Sequence, residues 1–202
     1  MNKFLKFTAI LAIVAVSFSA CSKTETPAET TTDSTETAAV ETTGPIDAAL
    51  LANLPAECPK ANDISYKTNS TPEAKIDVKS AILTQAPMAT EGRLLIGNYE
   101  IDYKKAYDNV TGGNVFIGLD LQQKEGSPLT IGTFTRTADT QKKVVPDLRT
   151  SESLIGFIGD KGQVDLIYKD DKVACGTVDI DDGYAAIKGG FVAEVVNEAW
   201  GW

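Results

Sequence analysis

Four short runs of this chain alternate apolar and polar residues with a period of two, and that pattern restricts them to half-buried strands. It is clearest in Val115-Phe116-Ile117-Gly118-Leu119-Asp120-Leu121, where Val115, Ile117, Leu119 and Leu121 share one face. It recurs in Tyr99 to Tyr103, Val164 to Tyr168 and Ile76 to Leu83. One wet face and one dry face is the signature of an antiparallel sheet. Asp160-Lys161-Gly162, Asp170-Asp171 and Asp182-Gly183 read as hairpin turns, and Thr111 to Asn114 and Glu125 to Pro128 as longer loops. After Asp63 no helical period of useful length interrupts the pattern. The expectation is an all-β fold, an antiparallel β-sandwich or partly open barrel of about eight to ten strands. One short helix over Ile46 to Leu54 is expected between Pro45 and Pro55.

Glycines interrupt the strands in a recurring way: Ile96-Gly97-Asn98-Tyr99, Ile131-Gly132-Thr133-Phe134, Ile155-Gly156-Phe157 and Cys175-Gly176-Thr177-Val178. A glycine inside a strand marks a bulge or bend, so these read as curvature devices. Lys172 to Val196, with Gly176 and then Gly189-Gly190-Phe191, reads as a glycine-bent terminal hairpin.

Before this β-rich region the chain changes character twice. Lys3 and Lys6 precede an uncharged run, Phe7 to Ala20, that ends in Ser17-Phe18-Ser19-Ala20 before Cys21. This is the layout of a secretory signal. Its 14 uncharged residues fall short of the roughly 20 a membrane-spanning helix needs. A cysteine directly after Ser19-Ala20 resembles the lipobox of bacterial lipoproteins, although Phe18 stands where that motif usually has Leu. The resemblance implies cleavage by signal peptidase II before Cys21, a diacylglycerol on its thiol and, with Ser22 next, sorting to the outer membrane. The plainer reading is an ordinary signal peptide that leaves Cys21 as a free thiol.

Ser22 to Gly44 contains nine Thr and five acidic residues in 23, with no aromatic, too little apolar surface to fold. Residues 21 to 45 are therefore expected to be a disordered tether, about 25 Å from end to end, and residues 46–202 a single domain. Loss of Lys3 and Lys6 would deepen the acidic excess already present in 19 basic against 28 acidic residues. Anionic headgroups would repel such a chain, leaving the lipid as its membrane partner.

The full chain has three cysteines and no histidine. Histidine-dependent nucleophile pairs and His-ligated metal sites are excluded, and the net charge of -9 argues against nucleic acid. With Cys21 assigned to lipid, Cys58 and Cys175 remain as a disulfide candidate in an exported chain; two buried reduced thiols are the alternative.

Asp179, Asp181 and Asp182 offer oxygen ligands of the kind calcium takes, yet their spacing is wrong for an EF-hand and Asp182-Gly183 already reads as a turn. Glu100, Asp102 and Asp120 could serve a two-carboxylate glycosidase, but each falls on the polar face of its run. Tyr66, Tyr99, Tyr103, Trp200 and Trp202 are the aromatics able to stack on a sugar or peptide. No cofactor and no catalytic residue is expected. The expected function is that of a monomeric, lipid-anchored cell-envelope lipoprotein, non-enzymatic, binding an envelope protein or a small ligand or serving structurally. The alternative is a carboxylate-dependent envelope hydrolase acting on glycans.

Overall fold

The alternating runs fold as strands because each has one apolar face to bury. The structure, a computed structural model, describes residues 51–198 apart from Ser127 and Asp139. Its strands are β1 (Asp63–Lys67), β2 (Ala74–Ile76), β3 (Ser80–Thr84), β4 (Glu91–Gly97), β5 (Val115–Gln123), β6 (Gly132–Thr135), β7 (Lys142–Thr150), β8 (Leu154–Ile155), β9 (Gln163–Lys169), β10 (Val173–Asp181) and β11 (Ala186–Val196). The hydrogen-bonded order β10-β9-β6-β7-β5-β4-β3-β11 closes on itself through the β10–β11 pair, giving an eight-stranded barrel. Outside it, β1 and β2 extend from β11, and β8 pairs with β7. The pairings are antiparallel except β6–β7 and β11–β3.

The fold is thus all-β as expected, but of the two architectures it is the barrel, and a closed one, not a sandwich. Closure depends on the long β11, which pairs with β10 on one side and, through its last three residues, with β3 on the other, where its first half carries the outer β1. Gly189 lets β1 approach this closely, since its φ of +131° suits glycine and a Cβ there would collide with the Asp63 carbonyl. Gly176 acts as expected: the β9–β10 register slips between Cys175 and Gly176, a bulge that bends the barrel wall.

The barrel interior is filled by side chains. Leu94, Ile96, Ile117, Leu119, Leu121, Phe134, Val164, Ile187 and Phe191 are fully buried within one cluster. Two smaller clusters lie elsewhere on the sheet. Leu54 and Cys58 cover Val173, Cys175 and Val192, while Ile101 and Ala106 cover Ile82, Leu95 and Phe116. Strands β3 and β4 are accordingly apolar on both faces.

Three local expectations are corrected. Tyr99 to Tyr103 is not a strand: Asp102 accepts a hydrogen bond from the Lys104 N–H at 3.0 Å and caps a 3-10 turn, Tyr103–Lys105. The segment arches across β4 and β5, and its alternation reflects Ile101 facing the sheet. Ile76 to Leu83 is two strands, broken between Ile76 and Ser80. Asp160-Lys161-Gly162 is not a hairpin, because β8 pairs with β7 whereas β9 pairs with β6 and β10.

Cys58 and Cys175 form a disulfide, with their Cα atoms 5.7 Å apart. It fastens the incoming segment near the end of the barrel that carries the β9–β10 turn. At the far end β3, β5, β9 and β11 begin, and β1, β4, β7 and β10 finish. Cys21, the expected tether and all but the last four residues of the helix expected over Ile46 to Leu54 lie outside the described residues. Among the described residues no helix is long and apolar enough to cross a membrane.

Candidate functional site

The most concentrated charge chemistry sits where the arch crosses β4, β5 and β7. Register places Arg93 beside Asp120, and Gly118 between Leu95 and Asp147. Gly118 leaves the room: a Cβ there would stand 2.6 Å from the Arg93 guanidinium. Arg93, only 5% exposed, lies 3.2 Å from Asp120 through Nε and 3.1 Å from Asp147 through Nη2. Nη2 also donates to the Tyr107 hydroxyl, which donates in turn to Asp147 at 3.1 Å. Arg149 donates to both Asp147 oxygens at 3.2 Å and stacks its guanidinium 3.5 Å from the Tyr107 ring centre. Two cations meet two anions, so the cluster is neutral. Tyr107 is the link by which the arch grips the barrel.

Burial sets the protonation here. It pushes the Tyr99 phenol up to about 12 against the opposing pull of Arg149, and raises Tyr107 against that of Arg93. Both phenols stay neutral at physiological pH. The Asp120 carboxyl is also raised above its ordinary 3.8, by burial first, with Arg93 opposing and Asp147 adding to the rise. Asp120 does lie on the face opposite Val115, Ile117, Leu119 and Leu121, as expected, but Arg93 covers part of it and leaves its side chain 33% exposed.

The sign of the consequence is fixed by linkage. A carboxyl raised in the folded state binds more protons than in the unfolded chain, so its contribution to stability falls as pH rises through the window above 3.8. Asp120→Asn should therefore gain stability relative to the parent as pH is raised from below 3.8 to neutrality, read by urea denaturation at a series of pH values. A constant offset between the two curves would show that Asp120 titrates alike in both states.

The other predicted carboxylates are not brought together. Glu100 is exposed, and Asp102 is spent on its cap. Asp181 pairs with Lys188 at 2.8 Å, while Asp179 is exposed opposite the same lysine in the register. Asp182 holds the β10–β11 turn through the Ala185, Ile158 and Tyr184 N–H groups. Burial opposes its charge, but these three donors outweigh it and hold its carboxyl below the ordinary range. Among the described residues no three Cys, Asp or Glu side chains gather as a metal site. Tyr99 donates to the Ala106 carbonyl and Tyr103 to Glu198. Trp200 and Trp202 lie outside the described residues.

A second feature opens at the far end of the barrel, a cleft of about 180 Å³ between the β1–β2 turn, the start of β5 and the β7–β8 turn. Its walls carry Tyr66, Thr71, Asn114, Glu152, Ser153 and Ile155. Of these only Tyr66 was singled out by sequence.

Sequence reasoning also missed Arg93, Tyr107, Asp147 and Arg149. One signal was present: Arg93 adjoins the apolar run Leu94-Leu95-Ile96, where a cation needs a buried partner. No family model, no curated protein and no solved structure matches this chain.

Proposed function

We propose that the protein is a lipid-anchored cell-envelope lipoprotein, held through Cys21, whose barrel has a non-enzymatic binding or structural role. The Cys58–Cys175 disulfide carries this reading, because such bonds persist in oxidising compartments outside the cytosol. It supports export, which the charged start, short apolar run and small residues before Cys21 also require. The barrel interior is occupied by its own side chains, so any ligand is met at a surface or a rim. Arg93 and Arg149 engage the part-buried carboxylates Asp120 and Asp147, which supports a structural role for that cluster.

Cys21→Ala should abolish metabolic lipid labelling and release the protein from the membrane pellet into the soluble fraction. Unchanged labelling and sedimentation would end the lipid-anchor reading. The glycan-hydrolase alternative draws on one observation, the raised carboxyl of Asp120 beside Asp147. It requires turnover of peptidoglycan fragments that vanishes in Asp120→Asn; the binding reading requires none.

A further inference from the structure

The mouth of a β-barrel is a recurrent place for ligands, and the far-end cleft is built there. Some of its polar groups are spent on holding the walls still. Thr68 Oγ1 accepts the Ser70 and Thr71 N–H groups at 3.2 and 2.9 Å. Thr150 Oγ1 accepts those of Glu152 and Ser153 at 3.3 Å, and Ser151 accepts the Gly113 N–H at 3.4 Å. Three loops are thereby fixed, two of them to each other.

Other groups on the same walls make no such bond. The hydroxyls of Tyr66, Thr71 and Ser153 and the carboxylate of Glu152 bond to no other described residue, and Glu152 and Ser153 are exposed. The Tyr66 ring is half-buried and packs against the barrel core, so its position is set before anything binds. No Lys or Arg lines the cleft, which removes the attraction a phosphate or other anion needs. Val115 and Ile155 are its only aliphatic lining beside eight polar side chains, too little for an apolar guest. A volume of about 180 Å³ is below the roughly 300 to 1,000 Å³ of drug-sized sites and suits one ring, not an extended chain.

We propose that this cleft binds one pyranose ring of a neutral saccharide, with Tyr66 as the aromatic platform and the Thr71, Ser153 and Glu152 oxygens meeting its hydroxyls. The sugar supplies both donors and acceptors, matching hydroxyls that can do either and a carboxylate that can only accept. Its C–H face supplies the apolar patch that the phenol ring can cover. The assignment is independent of lipidation and of Asp120.

The test is saturation-transfer difference NMR of the full chain purified from the envelope, with chitotriose and maltotriose as probes at millimolar concentration. Transfer to the ring protons of at least one trisaccharide is expected. Ser70→Trp, which places a bulky group on an exposed lip of the cleft, should abolish it. Tyr66→Ala should weaken binding about tenfold, while Tyr66→Phe, which keeps the ring, should weaken it less. Silence from both sugars, or transfer unchanged in Ser70→Trp, would overturn the proposal. Should Tyr66→Ala fail to fold, Ser70→Trp and Tyr66→Phe still decide.

Discussion

Replacing Arg93 with Met is expected to cost the barrel about 3 kcal/mol, because it takes from the part-buried Asp120 its Arg93 partner and leaves Asp147 with Arg149 alone. Met keeps much of the Arg stem, so the loss measures charge more than volume. Removing the uncompensated charge as well, in Arg93→Met/Asp120→Asn, should recover more than half of it, since a removed pair matters less than an orphaned charge and Asp147 keeps Arg149. Denaturant unfolding at neutral pH, followed by far-ultraviolet dichroism, reads both variants. A loss for Arg93→Met below about 1 kcal/mol, the range of exposed pairs, would show that water reaches the cluster.

The second large effect belongs to the disulfide. Cys58 and Cys175 are 117 residues apart, and the chain-entropy relation gives about 4–5 kcal/mol for closing a loop of that order. Cys58→Ala/Cys175→Ala should lose about 2–5 kcal/mol, the range found for native disulfides. Both sulfurs sit in the cluster formed by Leu54, Val173 and Val192, so loosening should begin where the chain enters the barrel. Reductant should lower the parent's unfolding midpoint to near that of the double variant and leave the variant unchanged. Equal midpoints for oxidised parent and variant would remove the disulfide from the account of stability.

What the sequence disclosed follows from how local each cause is. Val115 to Leu121 was readable because its inward face alternates without a break along one strand. Tyr99 to Tyr103 shows the same alternation for another reason, an arch laid over the outside of β4 and β5, and period alone does not separate the two cases. Barrel closure was not readable either. It rests on β11 pairing with β10 and β3 at once, contacts that join residues up to 112 positions apart, such as Ile82 and Glu194. The disulfide was legible only once Cys21 was set aside for lipid, which left one pair of cysteines in a chain read as exported. The Arg93 cluster draws on two neighbouring strands, a third 54 residues along the chain and a loop, so no window of sequence contains it. Tyr66 was recognised as an aromatic able to stack, but the hydroxyls that surround it come from turns whose meeting is a property of the closed barrel.

One nonreduced digest of the protein extracted from the envelope, analysed by mass spectrometry, decides whether a lipid at Cys21 anchors an exported, disulfide-braced barrel. The expected products are an N-terminal peptide that begins at Cys21 and carries a diacylglycerol, together with the Cys58 and Cys175 peptides joined to each other. An unmodified Cys21, or both other thiols free, would contradict it.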